Sequence, residues 1–140
     1  MCSSDLEHLG AELFAMSDRW LRGDRDGRDL ARQALEGIVE VYAEHGPVMR
    51  ALADAAADDP RVERAYNDIV QGFVDATARH IDEEIAAGRI LPLDARETAK
   101  ALVWMMERYL NLSFGRESTT SREAVGDALT TIWTRVLYGT

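Results

Sequence analysis

The sequence has a single cysteine, only three prolines and no long uncharged apolar run. One cysteine, Cys2, excludes an internal disulfide and fits a reducing cytoplasm, where we expect the protein to reside. A membrane-spanning helix needs about 18 or more consecutive apolar residues, so we expect no membrane segment, and no signal peptide is visible. Strand signals are also missing, because no alternating β-branched run and no hairpin dipeptide between two such runs occurs.

The charge balance argues against binding to polyanions. Twenty-five acidic residues against sixteen basic ones leave a formal net charge of −9, which repels phosphate backbones and anionic lipid surfaces. Hydrophobic residues make up 46% and charged residues 29%, a composition typical of a globular protein. A chain of 140 residues corresponds to one domain that is large enough to bury a core.

Helix-breaking residues divide the chain into about six helices, and we predict an all-α helical bundle. Gly46 and Pro47 are expected to end the second helix and to separate it from a short amphipathic one. Asp59 and Pro60 indicate the start of a long helix, because an acceptor side chain caps it and proline tolerates the first position. That helix can extend to Gly88, a residue suited to a left-handed stop.

Capping patterns precede the last two helices. Asp94 with Glu97, and Thr120 with Glu123, have the spacing of reciprocal N-terminal caps. The helix after Asp94 is apolar around most of its circumference, so it must be covered on more than one side. In a small chain the additional apolar face usually belongs to a partner subunit.

Two interpretations of residues 1–6 stay open. The segment resembles a translated cloning sequence joined to a gene fragment, which would make it a non-native leader. Alternatively, it is a native N-terminus in which Ser3, Ser4 or Asp5 caps the first helix.

No arrangement of residues indicates catalysis, and we predict neither an enzyme nor a bound cofactor or metal. No glycine-rich phosphate loop, nucleophile elbow or paired nucleophile and base occurs. His80 with Glu83 and Glu84 would allow a surface metal site. We favour a solvated charged face on the long helix for these three residues.

Two segments near the C-terminal end carry a family resemblance. The matching residues are Met106-Glu107-Arg108, Leu110, Ser113-Phe114, Ile132-Trp133 and Tyr138-Gly139. They resemble the last two helices of TetR-family transcriptional regulators of the EthR type. The resemblance implies that residues 7–140 are one effector-binding and dimerisation domain of a repressor. Family members begin with a basic helix-turn-helix unit that nothing here matches, so DNA binding is expected only in an intact protein.

The resemblance also implies an interior pocket for a small hydrophobic effector. The residues placed on its walls are Ile38, Tyr42, Tyr66, Val70, Phe73, Thr77, Val103, Met106, Glu107, Leu110 and Trp133. EthR-type pockets carry asparagine amides where Val103 and Met106 stand here, which implies a more apolar ligand. The alternative, that these residues simply fill a core, stays open. Glu107 is the polar residue of interest, and it needs a tyrosine or an arginine partner if it is buried.

The final helix is expected to contribute to a two-fold homodimer. Val125, Leu129, Ile132 and Val136 form one apolar stripe, and Leu129, Ile132 and Val136 are the predicted interface residues. An alternative function is a helical oligomerisation module without any small-molecule ligand. A filled interior with no connected pocket would favour that alternative.

Overall fold

The computed structural model describes residues 3–23, 26–115 and 120–139, and the parts it describes are helices and short links without any strand. The five helices are α1 (Ser3–Leu21), α2 (Gly27–Asp58), α3 (Pro60–Ala86), α4 (Ala95–Phe114) and α5 (Arg122–Tyr138). The all-α prediction is confirmed, with five helices rather than about six. Within these ranges, no helix is both long enough and apolar enough to cross a membrane.

The first two residues of the predicted leader lie outside the described part of the chain. The boundary proposed after residue 6 falls inside α1, which begins at Ser3 and buries Leu6. The leader therefore stays a prediction, although its last residue packs with the core.

Helix α2 accounts for the difference in helix number. The chain bends at His45, whose φ of −115° and ψ of 21° are not helical, and then continues as a helix to Asp58. Pro47 lacks a backbone donor and its ring crowds the carbonyl of Ala43, so a bend at this place is expected. The helix resumes because Met49 and Leu52 after the bend are buried in the core. The predicted stop at Gly46-Pro47 is therefore a kink.

Side-chain caps fix where the later helices begin. Asp59 accepts a hydrogen bond from the Arg61 amide at 2.9 Å, and Asp94 accepts one from the Glu97 amide at 3.0 Å. Both starts were predicted. The predicted cap at Thr120 is wrong by one residue, because Ser121 accepts the hydrogen bond from the Ala124 amide, at 3.2 Å. A serine hydroxyl reaches the third following amide as well as threonine does, so the sequence pattern does not separate the two.

Helix α2 is the central element, since it packs against each of the other four helices. Helix α3 packs against α1, α2 and α4, and α4 and α5 lie side by side. The most deeply buried apolar side chains, all without measurable exposure, come from α3, α4 and α5: Val74, Ile81, Ala99, Leu110, Val125 and Leu129. Buried apolar residues of α1 and α2 join these in one core, to which all five helices contribute.

The crossing of α2 and α4 depends on a glycine. A Cβ atom placed on Gly46 would lie 1.9 Å from the backbone oxygen of Phe114 and 2.7 Å from its carbonyl carbon. Because the obstructing atoms belong to backbone, no side-chain rotation relieves the overlap. Gly46 thus permits the bend of α2 to sit directly against the end of α4.

We predict that Gly46→Ala lowers the free energy of unfolding by about 2 kcal/mol, because the added methyl group forces α2 and α4 apart. The matched control is Gly126→Ala in α5, where a Cβ atom meets nothing within 4 Å. Alanine there should raise stability by about 0.5–1 kcal/mol, the usual difference between the two residues inside a helix. Urea denaturation at one fixed protein concentration measures both, and equal effects would contradict the close approach.

Candidate functional site

Two adjacent cavities lie in the interior of the bundle. The larger has a volume of about 50 Å³ and is bounded by α1, α2, α3 and α4. The smaller, of about 20 Å³, lies closer to α5 and includes Trp133 in its wall. Four residues line both cavities, namely Ile38, Phe73, Val103 and Met106. The two cavities are thus separated by side chains rather than by a helix backbone.

Most of the predicted pocket residues meet at these cavities. The larger cavity is lined by Ile38, Tyr42, Tyr66, Val70, Phe73, Val103, Met106 and Glu107, and the smaller one adds Thr77 and Trp133. Leu110 is the exception, because its side chain is fully buried and lines neither cavity. It lies three residues beyond Glu107 on α4, where the helix packs closely into the core. Leu110 is therefore a core residue in this structure.

Helix α1 forms a wall that the sequence analysis did not assign to the pocket. Its contribution to the larger cavity is Leu6, Leu9, Gly10 and Leu13, and Met49 and Ile69 complete the lining from α2 and α3. The signal was present, because the three leucines recur at three- and four-residue spacing. That spacing shows only that the face is buried. It does not tell whether the face contacts other side chains or a cavity.

A polar network closes one side of the larger cavity. The Tyr66 hydroxyl donates a hydrogen bond to Glu107 Oε1. The Asn111 amide donates to the same oxygen at 2.7 Å and to the Tyr66 oxygen at 3.1 Å. Glu107 and Asn111 are 8% and 1% exposed, so these hydrogen bonds form away from bulk water. Of the partners considered for Glu107 in the sequence, the tyrosine is found, and Asn111 is an additional one.

Tyr66 of this network and Tyr42, which lines the same cavity, both remain protonated. Burial, and then the negative charge of Glu107, raise the pKa of the Tyr42 hydroxyl above its usual value. Burial, followed by the neighbouring Tyr42 and Glu107, raises the pKa of the Tyr66 hydroxyl in the same direction. A phenolate beside a buried carboxylate would be disfavoured by both desolvation and repulsion. Neither tyrosine hydroxyl therefore adds a negative charge to this end of the cavity.

A second polar network joins α1, α3 and α5. The Arg89 guanidinium and the Tyr138 hydroxyl both donate to the Glu84 carboxylate, the latter at 3.0 Å. The Trp20 indole N–H donates to the Tyr138 oxygen at 3.0 Å, and the His80 Nε2 atom lies 3.7 Å from Glu84 Oε1. Burial, with a smaller effect of Glu84, raises the pKa of Tyr138 to about 12.

This network corrects the prediction for the long helix. His80 and Glu84 are buried, and only Glu83 of the three lies on a solvated surface. The reason is that this face of α3 packs against Trp20 of α1, whose ring meets the His80 ring edge-on at 4.5 Å. Among the residues that the structure describes, no group of three or more His, Cys, Asp and Glu side chains is placed to hold a metal ion.

We predict that His80 makes the protein less stable as the pH falls below about 6.5, the usual value for histidine. Burial lowers the pKa of His80 in the folded state, although Glu84 and Glu83 oppose this. The unfolded chain therefore binds a proton first, so stability is complete above the unfolded pKa and declines as the pH falls toward the folded one.

The test is the pH dependence of the melting temperature for wild type and His80→Leu. Leucine retains the apolar contact with Trp20, and neither ring nitrogen of His80 has a hydrogen-bond partner to lose. The variant should lose less stability than wild type between about pH 7 and pH 5. Parallel curves would show that His80 does not cause the decline.

The outer face of α5 differs from the predicted stripe. Val125 and Leu129 are completely buried within the chain, so Leu129, one of the three predicted interface residues, belongs to the core and is not exposed to a partner. Ile132 and Val136 are 40% and 47% exposed and lie on the outer face. On α4, Trp104 and Leu112 are also exposed large apolar residues. Helix spacing places all four residues of the predicted stripe in one narrow band, and the buried face of α5 is centred beside it on Leu129, Trp133 and Leu137, so Ile132 and Val136 lie at its exposed edge.

Comparison with known proteins identifies the wider group to which these features belong. The model of the family described as "Transcriptional regulator EthR, C-terminal domain" matches residues 31–139. The chain is 36% identical over 120 residues to the HTH-type transcriptional regulator EthR of Mycobacterium tuberculosis, and equally to that of Mycobacterium bovis. Each match covers 83% of this chain and 55% of the relative. The chain therefore spans about half the length of the curated relatives that it matches.

Proposed function

Because the chain belongs to the family of EthR C-terminal domains, we propose that it senses a small hydrophobic effector for a TetR-like repressor. The observation that supports this function is the pair of adjacent apolar cavities, which most of the predicted pocket residues line. Residues 7–140 are the proposed effector-binding and dimerisation domain. In an intact regulator, DNA would be contacted by a helix-turn-helix unit outside the matched region. We propose no catalytic activity for the domain.

Binding of an effector requires the cavities to widen and join. A volume of about 50 Å³ holds a few waters at most, whereas pockets for drug-sized ligands measure about 300–1,000 Å³. Met49 and Met106 line the larger cavity, and methionine side chains repack at low cost around different shapes. Phe73 also lines this cavity and stacks on Phe14 with ring centroids 4.0 Å apart, so a shift of Phe73 would move both rings.

Widening of the larger cavity would displace α1. Leu6, Leu9 and Leu13 of this helix line the cavity opposite Val103 and Met106 of α4. An inserted ligand therefore pushes on α1 more directly than on α5, which contributes to the smaller cavity alone. In an intact repressor, movement of α1 would alter the placement of the DNA-binding units. The energy for this movement comes from the difference in ligand affinity between the two arrangements.

We predict that apolar esters and alcohols raise the melting temperature of the wild-type chain, because ligand bound only to the folded state stabilises it by mass action. Val103→Phe should abolish that increase, since residue 103 lines both cavities and a larger ring occupies them. The matched control is Val48→Phe on the exposed side of α2, which should retain the ligand response.

Thermal-shift assays on the three proteins measure this effect, with circular dichroism to confirm that each variant is folded. If wild type shows no increase with saturating ligand, the alternative function as an oligomerisation module without a ligand is favoured. The small volume of the cavities is the observation on which that alternative rests.

We propose that the outer faces of α4 and α5 pair in a two-fold homodimer. Trp104 and Leu112 of α4, with Ile132 and Val136 of α5, place four large apolar side chains on the surface of adjacent helices. Such a concentration of exposed apolar residues is typical of a subunit interface. A two-fold contact would bring four helices together, and stable interfaces of this kind bury about 1,200–2,000 Å².

We predict that Val136→Glu converts the dimer to a folded monomer, because two charges would be buried near the symmetry axis without partners. Leu91→Glu is the control, since this residue is 84% exposed on the link between α3 and α4. It should leave the dimer unchanged. Light scattering coupled to gel filtration distinguishes the two states. A monomeric wild-type chain at micromolar concentration would contradict the proposed interface.

A further inference from the structure

The larger cavity combines an apolar lining with one buried carboxylate. Of the described residues that line it, Glu107 alone carries a charge. Val103 and Met106 precede it on α4, and Phe73 and Val70 of α3 line the same cavity. A carboxylate is costly to bury in such surroundings unless hydrogen bonds and an opposite charge compensate for its lost hydration.

The hydrogen bonds seen around Glu107 satisfy only part of this requirement. Tyr66 and Asn111 both donate to Oε1, and Oε2 receives neither of these bonds. The side-chain oxygen of Asn111 is buried and has no hydrogen-bond partner. Exchanging the positions of the amide oxygen and nitrogen would not provide a partner, because the oxygen would then face the carboxylate. Glu107, which lines the cavity, and Asn111, which lies behind the lining, therefore each have an acceptor oxygen that receives none of these donors.

We propose that the effector is an apolar molecule that ends in a protonated primary amine, an inference that rests on the proposed effector-sensing function. An ammonium group supplies three donors and the counter-charge that Glu107 lacks. A neutral hydroxyl supplies a single donor, and a carboxylate head would repel Glu107. The net charge of −9 also raises the concentration of cations near the protein.

The apolar part of the effector lies along the two cavities. Glu107, Tyr42, Ile38 and Phe73 all line the larger cavity, and Ile38 and Phe73 also border the smaller one. An unbranched chain that displaces the Phe73 ring enters the region lined by Trp133. The geometry therefore favours an elongated aliphatic amine, with its charged end at α4 and its tail toward α5.

The experiment compares decylamine, decan-1-ol and decanoic acid by isothermal titration calorimetry with the full chain, each below its aggregation concentration. Decylamine should bind about tenfold more tightly than decan-1-ol, because hydrogen bonds to charged groups are stronger than those between neutral groups. Decanoic acid should bind most weakly. Equal affinities for the amine and the alcohol overturn the inference and leave the proposed function intact. Failure of all three to bind overturns both.

Variants locate the source of the preference. Glu107→Gln preserves the shape and removes the charge, so it should lose most of the preference for the amine and bind the alcohol as before. The control Glu97→Gln removes the same charge from an exposed position of α4 and should retain the preference. An equal loss in both variants overturns the inference, since the amine would then respond to net charge alone.

A final comparison separates binding in the cavity from binding to the acidic surface. Val103→Phe obstructs both cavities and leaves the surface charge unchanged, so it should weaken the amine and the alcohol together. If this variant binds decylamine as tightly as wild type does, the amine lies on the surface and the inference is wrong. If Glu107→Gln does not fold, the comparison of decylamine with decan-1-ol on the wild-type chain decides the question.

Discussion

The packing of α2 against all four other helices is the constraint on which the rest of this structure depends. Its buried face supplies Ile38 and Tyr42 to the larger cavity, and beyond the bend at His45 it supplies Met49. A straight helix of 32 residues would carry its second half away from the core. The bend near Pro47 keeps both halves in contact with the other helices, and Gly46 allows the closest approach to α4.

Around this central helix, polar groups are buried in two separate networks with different partners. Glu84 interacts with Arg89, so its charge is compensated by a cation within the chain. Glu107 is bound by the neutral donors Tyr66 and Asn111 and lies at a cavity. The ion pair of Glu84 and Arg89 stabilises an arrangement of helices, whereas the absence of a cation beside Glu107 is the basis of the proposed preference for an amine.

The family assignment and the geometry support each other at different levels. The match to the EthR C-terminal domain covers residues 31–139, and it places the helical fold of this chain in that family. The polarity of the cavity is set by particular side chains of this sequence. Val103 and Met106 are apolar, and the amide on α4 is supplied by Asn111 beside Glu107. The polarity of such a cavity depends on a few lining side chains, which can change without any change of fold.

The sequence by itself determined the helical class, the caps at Asp59 and Asp94 and the stop at Gly88, because these depend on interactions within a few residues. Tertiary structure decided the rest. Pro47 bends α2 instead of ending it because residues on both sides of it are buried in one core. Leu110 and Val103 are equally apolar in the sequence, yet only Val103 borders a cavity. Periodicity reports that a face is buried, whereas the identity of its neighbours depends on how distant helices cross.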